Sequence, residues 1–510
     1  MNSLIPIFVI VPLATAFLIM IIGKFIHGFQ KTITPLILLF LTVLSFYCLL
    51  NNYSDSYAIG GWEPVKNIPI AIYLVMDGFS ILLLTIISLI GFLASFYSIS
   101  YISKFTSENN FYALLCLMIA GMNGVVLSGD LFNLFVFLEV SVISSYALVA
   151  FGTEKEELEA SFKYQVLGGI ASLIILFAIG LIYWRTKTLN IADISNLLTA
   201  QQGNIFDIFV QILLISGFGL KAAMMPFHAW LPDAHSSAPS PISAMLSGVL
   251  IKAVGIYVII RLFFNMFIAS EEIAILITTL GTISMVIGVL LAIGQWDIKR
   301  LLAYHSISQM GYVVLSIGIG LILMARGTRP AVAVLAIAGG LYHMVNHAVF
   351  KGLLFLNAGA IEHRIHTRNL KEMGGLSKNM PATSATSFVA SMSISGIPPF
   401  NGFFSKLIII IAAIQAKFYG LAFLAVVVSI VTLASFMKFQ RYAFFNKKEY
   451  SKTSKIKEVP FPMIFSMAIM GILCLVFSLL AFPGVREQIL GPAIDVLMKT
   501  GEYTQTIIGM

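Results

Sequence analysis

The chain alternates between long apolar runs and short polar joints. Runs such as LLLTIISLIGFLASF show no strand-like alternation of polar and apolar positions, so they predict helices crossing a bilayer rather than barrel strands. Bounding the runs by charges, Gly/Pro clusters and polar turns predicts fourteen spans. They lie near 4–23, 32–51, 72–100, 111–128, 131–151, 165–184, 208–231, 242–262, 273–294, 302–325, 331–360, 383–412, 418–438 and 461–483. The third and eleventh are long, which predicts tilt or an extension beyond the lipid. The first lacks a basic leader region and a small-residue cleavage site, and is expected to be a span rather than a signal peptide.

Composition agrees with this reading. Hydrophobic residues make up 59% of the 510 and charged residues only 11%, against roughly 25% in soluble domains. A single water-soluble core does not grow to this size, so lipid is the expected solvent. Cys48, Cys116 and Cys474 lie far apart in apolar runs without metal-ligand spacing, and read as buried small hydrophobes.

The net charge of +8 is scattered through short loops, which excludes a nucleic-acid surface and speaks to orientation instead. Eighteen lysines and arginines fall at the joints after odd-numbered spans, and nine after even-numbered spans and in the tail. The positive-inside rule puts the eighteen in the cytoplasm and both termini outside, in a multi-pass protein of the cell membrane. The stretch from Lys438 to Lys457 supplies seven of them, and an anionic-lipid contact or a partner-docking loop is an alternative there.

Four of the 31 basic residues remain, and each sits inside an apolar run: Lys221, Lys252, Lys351 and Lys406. A charge in hydrocarbon costs about 2.5–3.5 kcal/mol on insertion scales, so each needs a reason. Snorkelling from a helix end is the plain alternative, and fits Lys252 best. Glu139 is the acidic counterpart, isolated among Phe, Leu and Val. Its expected partner is Lys221, although a purely structural ion pair is open.

Two of these lysines lie beside helix breakers. Lys221 is followed by Pro226 in GFGLKAAMMPFHAWLPDAH, and Lys406 is preceded by Gly396, Pro398 and Pro399 in SISGIPPFNGFFSK. Broken spans are tolerated where they face protein or a wet cavity, and the alternative is an ordinary proline kink. The likeness of the two segments suggests an internal repeat. Spans four to eight (111–262) overlay nine to thirteen (273–438), and an odd number of spans inverts the second copy. Residues 1–110 then precede the repeats, and 461–510 form the last span and a short tail.

His343, His347 and Lys351 follow one another at i, i+4 and i+8, on one helical stripe. A proton relay is the preferred reading, with hydrogen-bonded packing or a metal site as alternatives; no third metal ligand is evident. His228 and His305 are further candidates for the chain. Asp233 and His235, expected in a loop, are gating or access candidates with them, while His27, His363 and His366 read as solvated loop residues. Lysine suits such a relay because burial disfavours its charged form and a nearby carboxylate favours it. A line of Glu139, Lys221, Lys252, His343, His347, Lys351 and Lys406 would carry protons along the membrane midplane.

Several functions find no support. There are no CxxC pairs, no Gly-rich dinucleotide loop after a strand and no acidic metal cage, so no cofactor is expected in this chain. HExxH and a nucleophile elbow are absent, which argues against a membrane hydrolase. A stand-alone solute transporter would need a midplane pocket of substrate-matching polar groups, and a passive scaffold leaves the buried charges unexplained. Asp130 and the serine-rich loops are weak candidates to ligate Na⁺ through oxygen.

Six motifs carry a family resemblance: GDLFNLFVFLEV (129–140), PFHAWLPDAHSSAPSPISAMLSGVLIKAVGIYVIIR (226–261), KRLLAYHSISQMGY (299–312), YHMVNHAVFKGLLFLNAGA (342–360), NLKEMGGL (369–376) and SGIPPFNGFFSK (395–406). They resemble the antiporter-like subunits shared by proton-pumping NADH:quinone oxidoreductase, Mrp-type Na⁺/H⁺ antiporters, and membrane-bound hydrogenases with their sulfane sulfur reductase relatives. The resemblance covers roughly residues 60–440. It implies an all-α polytopic membrane protein of about fourteen helices, with two inverted five-helix repeats and broken seventh and twelfth helices. It also implies proton-transfer roles for Glu139, Lys221, Lys252, the His343 to Lys351 stripe and Lys406, the last position being glutamate in some members. Partner membrane subunits, lipid, H⁺ and Na⁺ follow from the same likeness. GDLFNLFVFLEV, AYHSISQMGY and the short ending look like the Mrp antiporter's D-type chain, whereas DAHSSAPSPISAM looks more like the hydrogenase and quinone-reductase branches. A ferredoxin-linked hydrogenase or sulfur reductase is the expected parent, with an Mrp antiporter and the quinone oxidoreductase as alternatives; in each, any redox chemistry belongs to other subunits.

Overall fold

In the computed structural model, residues 4–499 and 503 are described, apart from 63–68, 106, 200–204, 268 and 447–455. Much of the basic stretch between Lys438 and Lys457 therefore lies outside the described residues.

The chain is an all-α polytopic membrane protein. Helices α1 (Ile7–Ile22), α2 (Phe29–Leu50), α3 (Gly78–Tyr101), α4 (Glu108–Leu127), α5 (Leu131–Val149) and α6 (Lys155–Thr186) fill the first third. A short α7 (Ile191–Thr199) follows, then α8 (Ile205–Lys221), α9 (Trp230–Ser237), α10 (Ser240–Met245) and α11 (Tyr257–Asn265). Between α10 and α11 the helix widens into π geometry over Leu246–Leu250 and Lys252–Ile256. The second half holds α12 (Glu271–Ile293), α13 (Ile298–Ala325), α14 (Pro330–Ile365), α15 (Pro381–Ser395), α16 (Asn401–Gln415), α17 (Tyr419–Gln440), α18 (Phe461–Val476) and α19 (Pro483–Met498). Among the described residues, eleven helices are long and apolar enough to cross a membrane. The runs around Lys221 and Lys406 are each divided between two shorter helices.

Caps decide where several helices begin. Asp77 accepts from the Phe79 and Ser80 amides, Asp130 from Phe132 and Asn133, Ser270 from Ile273, and Asp297 from Arg300. Asp130, considered as an oxygen ligand for a cation, thus has an Oδ1 engaged in capping α5. The Asp77 cap also corrects the long third run. Its start, Tyr73–Met76, is a strand paired antiparallel with Asp55–Ala58, so the helix begins only at Gly78. Conversely α6 starts ten residues before the expected 165, because KEELEASFK continues the helix out of the lipid and Glu154 and Glu157 build a capping box. Beyond the last expected span, residues 483–498 form a further helix, α19, which packs along α3.

Polarity sorts the helices into layers. The most apolar windows of α3, α13 and α14 are 89%, 94% and 83% buried, and that of residues 240–265 is fully buried. Those of α6 and α17 are 39% and 33% buried, and they turn Phe162, Leu173, Phe423 and Ile430 outward. The histidines and lysines of interest ride mainly on the inner helices. Hydrocarbon-facing positions are left to Leu, Ile, Val and Phe, the arrangement a bilayer requires. Cys48, Cys116 and Cys474 are buried and unpaired, as expected.

Candidate functional site

The first break lies between α8 and α9, where residues 222–229 leave helical geometry around Pro226. The freed groups are taken up locally. The Trp230 indole donates to the Leu220 carbonyl at 3.0 Å, and the Met225 amide donates to Ser284 Oγ at 2.9 Å. Lys221 is the last residue of α8, and its side chain is 1% exposed. Its Nζ lies 3.6 Å from Glu139 Oε1, and Ser172 of α6 bridges the two. The lysine donates to Ser172 Oγ at 2.9 Å, and Ser172 Oγ lies 2.5 Å from Glu139 Oε1 as a donor. Three helices thus meet in a Glu139–Ser172–Lys221 relay. The Glu139 side chain is 27% exposed on the bare chain, so this end opens outward while the lysine end is sealed.

Lys252 comes next. It opens the second π segment and is fully buried, donating to the carbonyls of Ser247 at 2.7 Å and Gly248 at 2.5 Å. A π turn leaves carbonyls without their usual i+4 amide, which is what an ammonium in a dry helix needs. Snorkelling is therefore not how Lys252 is accommodated. Two glycines bring its helix against both neighbours. A methyl on Gly255 would lie 2.6 Å from Ala222 Cβ, beside the first break, and one on Gly248 would lie 3.3 Å from the Ala348 carbonyl of α14.

On α14 the His343, His347 and Lys351 stripe faces inward, and all three are fully buried. His343 Nδ1 is 2.9 Å from Ser405 Oγ and Nε2 is 3.2 Å from Gln309 Oε1, and Lys351 donates to the Leu302 carbonyl at 2.5 Å. His347 has neither ring nitrogen bonded to a protein group among the described residues. His343 leads to the second break, residues 396–400 between α15 and α16. There Lys406 donates to the Ile394 carbonyl at 2.8 Å and to Ser429 Oγ at 3.2 Å, with its ammonium 5.0 Å from the Tyr312 ring centre. Ser395, Ser429 and Lys406 line a cavity of about 220 Å³ that opens between α16 and α17.

The remaining candidates divide. His305 is fully buried on α13 and bonds Ser435 Oγ of α17 at 2.8 Å, which ties it to the second half. His228 lies in the first break, partly exposed, with Nδ1 3.3 Å from the Pro226 carbonyl and no hydrogen bond to the lysines among the bonds described. Asp233, expected in a loop, lies in the first turn of α9 and is held by Arg300 at 2.5 Å and Lys163 at 3.1 Å. Burial works against its charge, but those two cations outweigh it and keep the carboxyl below the ordinary carboxylate range. His235 needs correcting. It is no loop residue but lies in α9, fully buried, because DAHSS continues helically under the first break and stacks the imidazole on Phe355 at 4.7 Å. His363, read as solvated, sits in the last turn of α14 and is half-buried; His27 and His366 are exposed. Ser172, Gln309, Ser405 and Ser429 carry no signal in the sequence, because hydroxyl and amide residues are common in every run. Among the described residues no group of three His, Cys, Asp or Glu side chains has a metal-binding arrangement.

A polytopic helical bundle with two broken helices, each beside a buried lysine, is the architecture of an antiporter-like ion-translocating subunit. The chain belongs to the NADH:quinone oxidoreductase/Mrp antiporter transmembrane family, whose profile matches residues 128–432. Residues 62–112 match the N-terminal profile of complex I chain 5. The D-type chain of the Na⁺/H⁺ antiporter of Alkalihalophilus pseudofirmus is 34% identical over 97% of this chain and 99% of its own. Among solved structures, a chain of the Mrp complex from Dietzia sp. DQ12-45-1b superposes with a TM-score of 0.88 at 27% identity, covering 100% of this chain and 99% of that one. A chain of the archaeal membrane-bound sulfane sulfur reductase superposes at 0.85 with 28% identity, covering 99% of both.

Proposed function

We propose that this chain moves protons through the bundle along Glu139, Lys221, Lys252, His347, His343 and Lys406, with Lys351 beside the line, as one subunit of a multisubunit membrane complex. The observation that carries this reading is the pairing of each helix break with a buried lysine whose ammonium bonds a hydroxyl and a carboxylate or carbonyl, rather than a fixed counter-ion alone. Such a lysine changes its affinity for a proton when its partner moves. A short half-helix beside a break is an element able to move. The two breaks also support an inverted-repeat relation between 111–262 and 273–438. The basic-rich loops favour a cytoplasmic side for the joints after odd-numbered spans and outside termini, in the cell membrane.

Similarity along nearly the whole length of an antiporter D-type chain favours an Mrp-type parent in which proton movement is coupled to Na⁺. A second reading, a ferredoxin-linked sulfur reductase or hydrogenase, is favoured by DAHSSAPSPISAM and by the superposition on the sulfane sulfur reductase. In either case electron carriers would belong to neighbouring subunits.

The test is ion translocation by the intact parent complex in sealed vesicles, recorded separately from redox turnover, with Lys221→Ala beside the wild type. The variant is expected to assemble and to lose proton or coupled Na⁺ movement. Redox turnover in the wild type would select the second parent. Normal translocation by assembled Lys221→Ala would return the buried charges to a packing role.

A further inference from the structure

Away from the lysine line, the first turns of α6 and α13, helix α9 and the last turns of α14 enclose two adjoining cavities of about 270 and 540 Å³ on the basic-rich face. Arg368 and Ser237 line both. The floor is a lattice of charge. Lys299 Nζ lies 2.8 Å from Glu362 Oε2 and donates to the Ala238 carbonyl at 3.2 Å. Arg368 Nε lies 3.4 Å from Asp297 Oδ2 and 3.8 Å from Glu362 Oε1, and the guanidinium also bonds the Ser236 carbonyl. Both residues line the larger cavity, where the Glu362 side chain is 23% exposed and that of Lys299 3%, so the carboxylate presents more of itself to the cavity than the ammonium does.

His235 lies in α9, three residues before the Ala238 carbonyl that accepts from Lys299. It is fully buried, and among the described residues neither ring nitrogen bonds a protein group. His347 shares both properties. Four orphaned imidazole nitrogens inside a bundle call for water, since buried polar atoms without protein partners are ordinarily hydrated. The His235 ring stacks on Phe355 of α14, the helix that carries His347 and Lys351, and, three residues on, the Ala238 carbonyl accepts from Lys299. His235 therefore sits between the vestibule floor and the helix that carries His347.

We propose that Glu362 and Lys299 form the gate of a proton inlet on the basic-rich side, feeding His235 and through it His347. The proposal rests on the relay reading above. A hydronium in the vestibule gives its proton to the Glu362 carboxylate, one O–H bond breaking as another forms, and is left as water. The charge that holds Lys299 is cancelled, and an ammonium without its counter-ion is disfavoured in a dry floor, so Lys299 turns aside. The proton then passes from the carboxyl through water to the bare nitrogen of His235. The opposite N–H of that ring releases its proton to water towards His347, and the ionised Glu362 recaptures Lys299.

The test uses the intact complex in inside-out sealed vesicles, with Cys48, Cys116 and Cys474 replaced by alanine and Ser243→Cys introduced. Ser243 Oγ bonds the His235 carbonyl at 2.9 Å, so its position reports water access behind the gate. The probe is a small membrane-impermeant methanethiosulfonate added on the vestibule side. Glu362→Gln imitates the neutral carboxyl but cannot release a proton, so labelling is expected to rise about tenfold while proton uptake falls about tenfold. Glu362→Asp, which keeps an ionisable carboxyl, should recover much of the uptake. Lys299→Gln opens the pair from its other partner and should raise labelling likewise, which covers failure of one variant to assemble. Labelling that ignores both substitutions, or wild-type uptake by Glu362→Gln, would overturn the gate. Lys221→Ala in the same vesicles separates the two readings: if it translocates normally while labelling still responds to Glu362, the relay fails and the gate stands.

Discussion

At the residue scale the Glu139–Ser172–Lys221 relay depends on one hydroxyl. Ser172 holds the lysine at 2.9 Å and the carboxylate at 2.5 Å, while the charges themselves stand 3.6 Å apart. A hydrogen bond to a charged group contributes about 1.5–3 kcal/mol. Ser172→Ala is therefore expected to slow translocation by about tenfold or more in vesicles, with the complex assembled, because the direct ion pair survives. Glu139→Gln should be worse, since it leaves Lys221 buried without a counter-ion. Glu139 and Lys221 were legible in the sequence because each is a lone charge in an apolar run. Ser172 was not, since nothing in α6 marks one serine among its neighbours. Asp233 makes a complementary prediction at the surface. Its carboxyl is held below its usual range, so its contribution is present above about pH 4 and is lost only as the pH falls through the depressed value. Between pH 5 and 8 Asp233→Asn and wild type should then show parallel pH profiles of translocation; profiles that diverge in that window would mean Asp233 titrates there.

At the scale of elements, the breaks are set by close packing as much as by proline. Gly396 ends α15 with φ +76°, and a methyl there would lie 3.1 Å from Lys406 Cδ and 3.2 Å from Ser429 Oγ. Gly396→Ala combines a left-handed backbone, unfavourable by about 1–2 kcal/mol, with a push on the lysine and its hydroxyl partner. It should impair translocation while leaving the Glu139 end intact. Ala223 in the first break has φ +53°, so Ala223→Gly is expected to be tolerated or to raise thermal stability by up to about 1 kcal/mol. A clear loss of stability would show that its methyl packing outweighs the strain. The breaks were readable because Pro226, Pro398 and Pro399 interrupt otherwise continuous runs. The π widening at Lys252 was not, because LSGVLIKAVGI has ordinary helical composition and only the packing of Gly255 and Gly248 distinguishes it. The outward extension of α6 and the helix α19 were missed for a related reason: both continue past the apolar run that defined the prediction.

For the whole molecule, one buried ion pair joins helices far apart in the chain. Arg261 Nη1 lies 2.7 Å from Asp77 Oδ2 and Nη2 donates to Oδ1 at 2.8 Å, with both side chains under 5% exposed. Arg261 also bonds Tyr257 Oη at 2.9 Å and Asn265 Oδ1 at 3.1 Å. Tyr257 in turn bonds the Val126 carbonyl of α4, and Asn265 the Val496 carbonyl of α19. The Tyr503 ring lies 4.8 Å from the guanidinium. This cluster fastens α3, α4, α11 and α19 on the side opposite the Glu362 vestibule. Removing one charge strands the other, which costs about 3–5 kcal/mol, whereas replacing both by apolar residues of similar volume is often near neutral. Asp77→Asn should therefore lower the fraction of detergent-solubilised protein surviving a heat step far more than Asp77→Leu with Arg261→Met. Protein that survives should translocate at the wild-type rate once reconstituted in its complex, because no member of the lysine line touches this cluster among the bonds described. A double variant as unstable as the single would mean that the cluster's hydrogen bonds to Tyr257 and Asn265, rather than its paired charge, hold the four helices together.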